Sequence, residues 1–108
     1  MKVDFGNGEV EAIYNFYTLY LYEQEFGSDL VKDVFGVVTD DVQDSGVLFD
    51  FSKVNWTSVV KALWAGVKCA NPSTPRFEEW ARGIGGNVEF MRLAETTISE
   101  INKELFRF

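Results

Sequence analysis

Residues 15–26 read NFYTLYLYEQEF, and this stretch decides the fold. Phe16, Tyr17, Leu19, Tyr20, Leu21, Tyr22 and Phe26 fall within about three helical turns. Asn15, Thr18, Glu23, Gln24 and Glu25 are its strongly polar side chains. Asn15 is placed to cap a helix, and Gly27, directly after Phe26, is placed to stop it. A helix apolar around most of its circumference is buried on several sides or held against a partner. Aromatic rings with polar tips suit both settings, because they bury a large area and still reach a hydrogen-bond partner.

Upstream of this helix, Val3 and Phe5 alternate with Lys2 and Asp4, and Val10, Ala12 and Tyr14 alternate with Glu9, Glu11 and Ile13. Gly6-Asn7-Gly8 joins the two runs with residues tolerant of positive φ, so the spacing predicts a β-hairpin with a three-residue loop. Ile13 lies on the otherwise polar face; either the second strand ends early or both its faces are covered. The Gly-Asn-Gly signal is too short for a phosphate loop and lacks the following Lys-Ser/Thr pair.

Downstream, Ser28 or Asp29 starts a short helix carrying Leu30, Val31, Val34 and Phe35 on one face, with Gly36 ending it. Residues 39–46, TDDVQDSG, lack a hydrophobic period and read as a surface loop. Asp40, Asp41 and Asp44 have neither the alternate spacing nor the closing Glu of a calcium-binding loop. Val47–Phe51 is a short apolar run, either a strand or an extended packing segment. Asn55 is placed to cap the clearest helix, in which Trp56, Val59, Val60, Leu63, Trp64 and Val67 follow the core-helix template. Asn71-Pro72-Ser73 breaks that helix. Thr74-Pro75 predicts a restart with Thr74 as cap and Pro75 at the first helical position, carrying Phe77 and Trp80 on one side. After Gly83, Gly85 and Gly86, Asn87 is placed to cap a last helix. Its stripe holds Phe90, Ala94, Thr97, Ile98, Ile101, Leu105 and Phe108. The chain of 108 residues is thus expected to form one small α+β domain, mainly helical. An N-terminal hairpin precedes four or five helices in that reading.

Composition narrows the function. An aromatic fraction of 16% within a hydrophobic fraction of 46% excludes a disordered acidic tail. A net charge of −7 opposes non-specific binding to nucleic acid and docking on an anionic membrane. There is no histidine, which removes the usual general base, the commonest metal ligand and every Ser-His or Cys-His nucleophile. Cys69, the lone cysteine, sits in an apolar helical pattern and reads as a buried thiol rather than a nucleophile. No carboxylate pair points to acid–base work, since Glu78 and Glu79, like Glu23 and Glu25, diverge on their helices. Asp40 and Asp41 lie in the loop. No apolar run reaches the length of a membrane span, and MKVDFGNGEV has no secretory-leader core. The expectation is a non-enzymatic protein of a reducing cytoplasm, with no cofactor and no metal.

YNFYTLYLYEQEFGSDLVKDVFG (residues 14–36) and NWTSVVKALWAGVKCANPSTPRFEEWA (residues 55–81) resemble the tail assembly chaperones of long-tailed bacteriophages and prophages of Gram-positive bacteria. The resemblance rests on the order of aromatic and apolar positions. It implies a mainly helical protein of the host bacterial cytoplasm, absent from the mature virion. Such a protein binds the long, hydrophobic tape-measure protein, keeps it soluble and promotes assembly of the tail tube. Tape-measure protein is the implied partner, tail-tube protein a secondary one, and self-association is expected of a protein that coats a rod. That role needs exposed aromatic surface and enough charge to keep it soluble. Candidate contact residues are Tyr17, Leu21 and Tyr22 on the first helix, and Phe106 and Phe108 at the end of the C-terminal stripe. The rival reading is a small structural tail or head–tail connector subunit that stays in the particle. A regulatory protein that binds a host target by acidic mimicry is a third, disfavoured because the carboxylates are scattered among aromatics.

Overall fold

The computed structural model describes residues 1–4, 8–35, 56–84 and 90–106. The fold is α+β and mainly helical, an antiparallel two-stranded hairpin followed by helices around one core. Strand β1 (Lys2–Asp4) pairs with β2 (Glu9–Glu11), with Val3 opposite Val10. Mutual bonds between the Met1 and Ala12 backbones extend the pairing by one rung. Gly8 holds φ at +124°, a conformation that side chains disfavour, which explains a glycine at the foot of β2. The strand ends at Glu11. Ile13 then donates its N–H to the Gly66 carbonyl at 3.0 Å and leaves its side chain exposed. Of the two outcomes left open for Ile13, early termination is the one realised.

Helix α1 spans Phe16–Phe26. Asn15 Oδ1 accepts from the N–H groups of Tyr17 and Thr18, and Thr18 Oγ1 accepts from the Asn15 N–H, a reciprocal cap. Gly27, at φ +69°, closes the helix through its N–H to the Glu23 carbonyl. Asp29 Oδ1 accepts from the Lys32 N–H and opens α2 (Leu30–Phe35). Helix α3 (Trp56–Ala70) is the centre of the domain, with Val59, Ala62, Leu63, Trp64 and Val67 buried. Helices α1, α2 and α5 (Phe90–Ile101) all pack on it. Ala94, Thr97, Ile98 and Ile101 form the buried stripe of α5 as the periodicity predicts, and Thr97 satisfies its hydroxyl on the Leu93 carbonyl. A π-helical turn, Asn102–Phe106, continues α5.

The restart after Pro72 differs from the expectation. Helix α4 spans Phe77–Arg82, two residues beyond Pro75, and Thr74 does not cap it. The Thr74 hydroxyl instead donates back to the Asn71 carbonyl, closing the turn that ends α3. The Phe77 N–H at the start of α4 is satisfied by Glu25 Oε2 at 2.8 Å, a cap supplied by another helix. The positions expected to cap α3 and α5, Asn55 and Asn87, lie outside the described residues, as do the 39–46 loop and Val47–Phe51.

Candidate functional site

Helix α1 has two faces, and neither is polar along its whole length. At about 100° per residue, Thr18, Tyr22 and Phe26 share one side, and Phe16, Tyr20 and Gln24, flanked by Tyr17 and Glu23, share the other. The first side is the core. Thr18 and Tyr22 are fully buried, and Phe26 lies edge-on to Trp64 and Phe77 at centroid distances of 5.5 and 5.1 Å. Lys61 covers the Phe26 ring at 5.0 Å. The second side faces outward, with Phe16 85%, Tyr17 55% and Tyr20 54% exposed. The rings of Tyr17 and Tyr20 lie nearly parallel, with centroids 5.8 Å apart. A Phe at that exposure gains nothing from burial and still costs solubility, so three such rings on one helix face make an exposed aromatic patch.

The sequence-derived candidates divide on this geometry. Tyr17 belongs to the outward face. Leu21 is half-buried at its edge. Tyr22 does not belong to it at all. Its ring is fully buried, and its hydroxyl donates to the Asp33 carboxylate at 2.9 Å. Burial and that carboxylate together push its phenol well above the ordinary tyrosine range. Ser28 also donates to Asp33, so Tyr22 locks α1 to the start of α2 and presents nothing to a partner. Phe16 and Tyr20 share the outward face without being among the sequence-derived candidates, although a signal for their exposure exists. Glu23 and Gln24 must face solvent, and one turn back from them lie Tyr20 and, a further turn back, Phe16 and Tyr17. At the other end of the chain, Phe106 closes the π-helical turn, its side chain outside the described ones. Phe108 lies outside the described residues.

A cleft between α1 and α4 is lined by Glu25, Arg76, Glu78, Glu79 and Arg82. Its two guanidinium groups already have carboxylate partners, Arg76 with Glu25 at 3.1 Å and Arg82 with Glu78 at 2.6 Å. The Arg82–Glu78 pair is largely exposed and ordinary for a helix surface. The Glu25 carboxylate differs, because its side chain is only 12% exposed. Burial pushes that carboxyl up, but the Phe77 N–H, the Arg76 guanidinium and the Lys68 charge prevail and hold it below the usual range. A depressed folded pKa stabilises the fold above the pKa of the unfolded chain, and that stabilisation disappears as pH falls through the folded value. Glu25→Gln should therefore lower the melting temperature at pH 7 and flatten its decline below about pH 5. Parallel melting-temperature curves for the two proteins between pH 7 and pH 3 would contradict the assignment.

No helix among the described residues is long and apolar enough to cross a membrane. Nor do three or more His, Cys, Asp or Glu side chains among them gather into a metal-binding group. The Cys69 thiol, half-buried rather than buried as expected, donates toward the Asn15 side-chain oxygen Oδ1 at 3.6 Å and so sits beside the cap of α1. Comparison with known proteins finds no matching family model, no matching curated protein and no matching solved structure, so the outward face of α1 stands on its geometry alone.

Proposed function

We propose that the protein is a non-enzymatic assembly chaperone of a long phage tail, which binds the tape-measure polypeptide before the tube forms around it. The observation that carries this reading is the outward aromatic face of α1, Phe16, Tyr17 and Tyr20 on a helix otherwise anchored in the core. Large, rigid rings make repeated apolar contacts at low entropy cost, which suits a client that is a long helical rod of varying sequence. The net charge of −7 keeps such a surface dispersed while it waits for the client. Self-association along the rod is part of the proposal, as is a cytoplasmic site of action in the host. The resemblance of residues 14–36 and 55–81 to tail assembly chaperones supplies the identity of the client.

Co-expression with a tape-measure protein from the same genome tests it. The wild-type chain should raise the soluble fraction of tape-measure protein several-fold, and a Phe16→Asp/Tyr20→Asp double variant should lose that effect. Circular dichroism of the variant should match the wild type, because both positions are more than half exposed. Tape-measure protein that stays insoluble with the wild type, or soluble with a folded variant, overturns the reading. Mass spectrometry of purified particles separates it from the structural-subunit alternative, which requires the chain in mature tails.

A further inference from the structure

The charge around the aromatic face says what kind of segment it accepts. Helix α1 carries two carboxylates, Glu23 and Glu25, and no Lys or Arg. Among the described residues, the cations seen against α1 lie at its inward side and flank. Lys61 lies over Phe26, Arg76 is paired with Glu25, and Lys68 donates to the carbonyls of Pro72 and Thr74 near that pair. The outward side has Phe16, Tyr17 and Tyr20, then Glu23, exposed and in no ion pair among the described residues. Glu23 also lies in the last turn, where the negative end of the helix dipole adds to its charge. A negative pole therefore sits about 10 Å along the helix from Phe16, seven residues at about 1.5 Å each. The exposed faces of the stacked Tyr17 and Tyr20 rings attract cations as well.

We infer that this face takes a cationic amphipathic helix of the client. Its apolar stripe would lie on Phe16, Tyr17 and Tyr20, and a Lys or Arg one to two turns away would meet Glu23. The inference rests on the binding role proposed above and adds the chemistry of the bound segment. A second copy of this chain fits less well, because it brings the same Glu23 carboxylate and the same net charge to the contact. An anionic lipid surface is repelled on the same ground.

Two synthetic peptides of one helical design, a Leu stripe flanked by Lys in one and by Glu in the other, separate the outcomes. Each is labelled and titrated by fluorescence anisotropy with the full chain, at about 50 and about 300 mM salt, where screening differs strongly. The Lys peptide should bind at least about tenfold tighter at low salt, with the gap narrowing at high salt. Phe16→Ser, and separately Tyr20→Ser, should weaken the Lys peptide about tenfold or more. Glu23→Lys should erase most of the preference for the Lys peptide without weakening the Glu peptide. Equal binding of the two peptides, binding of neither, or binding unchanged in Phe16→Ser overturns the inference. If the Lys peptide binds through Phe16 while tape-measure protein stays insoluble, the tail-assembly reading fails and this one stands. If tape-measure protein is solubilised but the peptides show no charge preference, this one fails alone.

Discussion

Trp64→Ala is expected to cost about 3–5 kcal/mol, the range for removing a large aromatic from a core. Trp64 is buried on α3, edge-on to Phe26 of α1 at 5.5 Å and to Phe77 of α4 at 6.4 Å. Three helices thus meet on one indole. Its Nε1–H donates to the Pro75 carbonyl at 2.9 Å, holding the approach to α4 against α3. The hydrogen bond is the lesser part of the loss, because Pro75 is exposed and water can replace the indole donor. Trp64→Phe should therefore retain most of the stability, and Trp64→Ala should not. A domain of this size holds about 5–15 kcal/mol in total, so the alanine variant should melt on the order of 15–25 °C lower. Hydrogen exchange gives a finer reading. If α4 detaches while α1, α3 and α5 keep wild-type protection, Trp64 is a local latch, and the global loss is far smaller than expected here.

What the sequence discloses, and what it hides, follows the distance over which each feature is determined. The limits of α1 are legible because Asn15 and Gly27 act on their own neighbours. The buried stripe of α5 and the core face of α3 are legible because polar residues mark the opposite side and fix the phase. Helix α1 has no such phase over its first two turns, where apolar residues surround the axis. Only the phase that Glu23 and Gln24 set one turn later separates Tyr22 from Tyr20, although one is fully buried and the other more than half exposed. The start of α4 was misread for a different reason. Its cap is Glu25, 52 residues from Phe77 along the chain, and local capping rules do not reach that far. Thr74, which those rules favour, is drawn into the turn behind it.

The same division separates the two roles of the aromatic residues. Phe26, Trp64 and Phe77 converge at the junction of α1, α3 and α4, and Tyr22 stacks at a tilt on Phe26 with a centroid distance of 4.7 Å. These rings fix α1 rigidly along its inward side. Under the binding role proposed above, such anchoring would favour the outward rings as a contact surface, since a fixed helix loses little entropy when a partner arrives. Disturbing the anchor should consequently weaken binding without touching the contact face.

Gly66→Ala is the second large effect, and its sign opposes the usual rule for helices. In a solvent-facing helix position, replacing Gly by Ala stabilises by about 1 kcal/mol. At Gly66 a new Cβ would sit 2.6 Å from Cζ and 2.8 Å from Oη of Tyr14, closer than real carbon contacts allow. The ring cannot easily retreat. Tyr14 is buried, its hydroxyl donates to the Ala62 carbonyl at 3.2 Å, and the neighbouring Ile13 N–H is bonded to the carbonyl of Gly66 itself. Burial, with the nearby Glu100 charge, also pushes the Tyr14 phenol far above its usual range, so its hydroxyl stays protonated and keeps its bond to Ala62. Forced overpacking of this kind costs about 1–3 kcal/mol, and here it also strains the junction between β2 and α3. A net loss of about 2 kcal/mol is expected in chemical denaturation, larger than the propensity gain. Tyr14→Leu removes the colliding atoms at a cost of its own, so the Gly66→Ala/Tyr14→Leu pair should lose at least about 1 kcal/mol less than the two single losses added. Strict additivity, or a stabilised Gly66→Ala, would mean that the ring swings aside freely and that the close approach of Tyr14 to α3 does not set the packing of the hairpin.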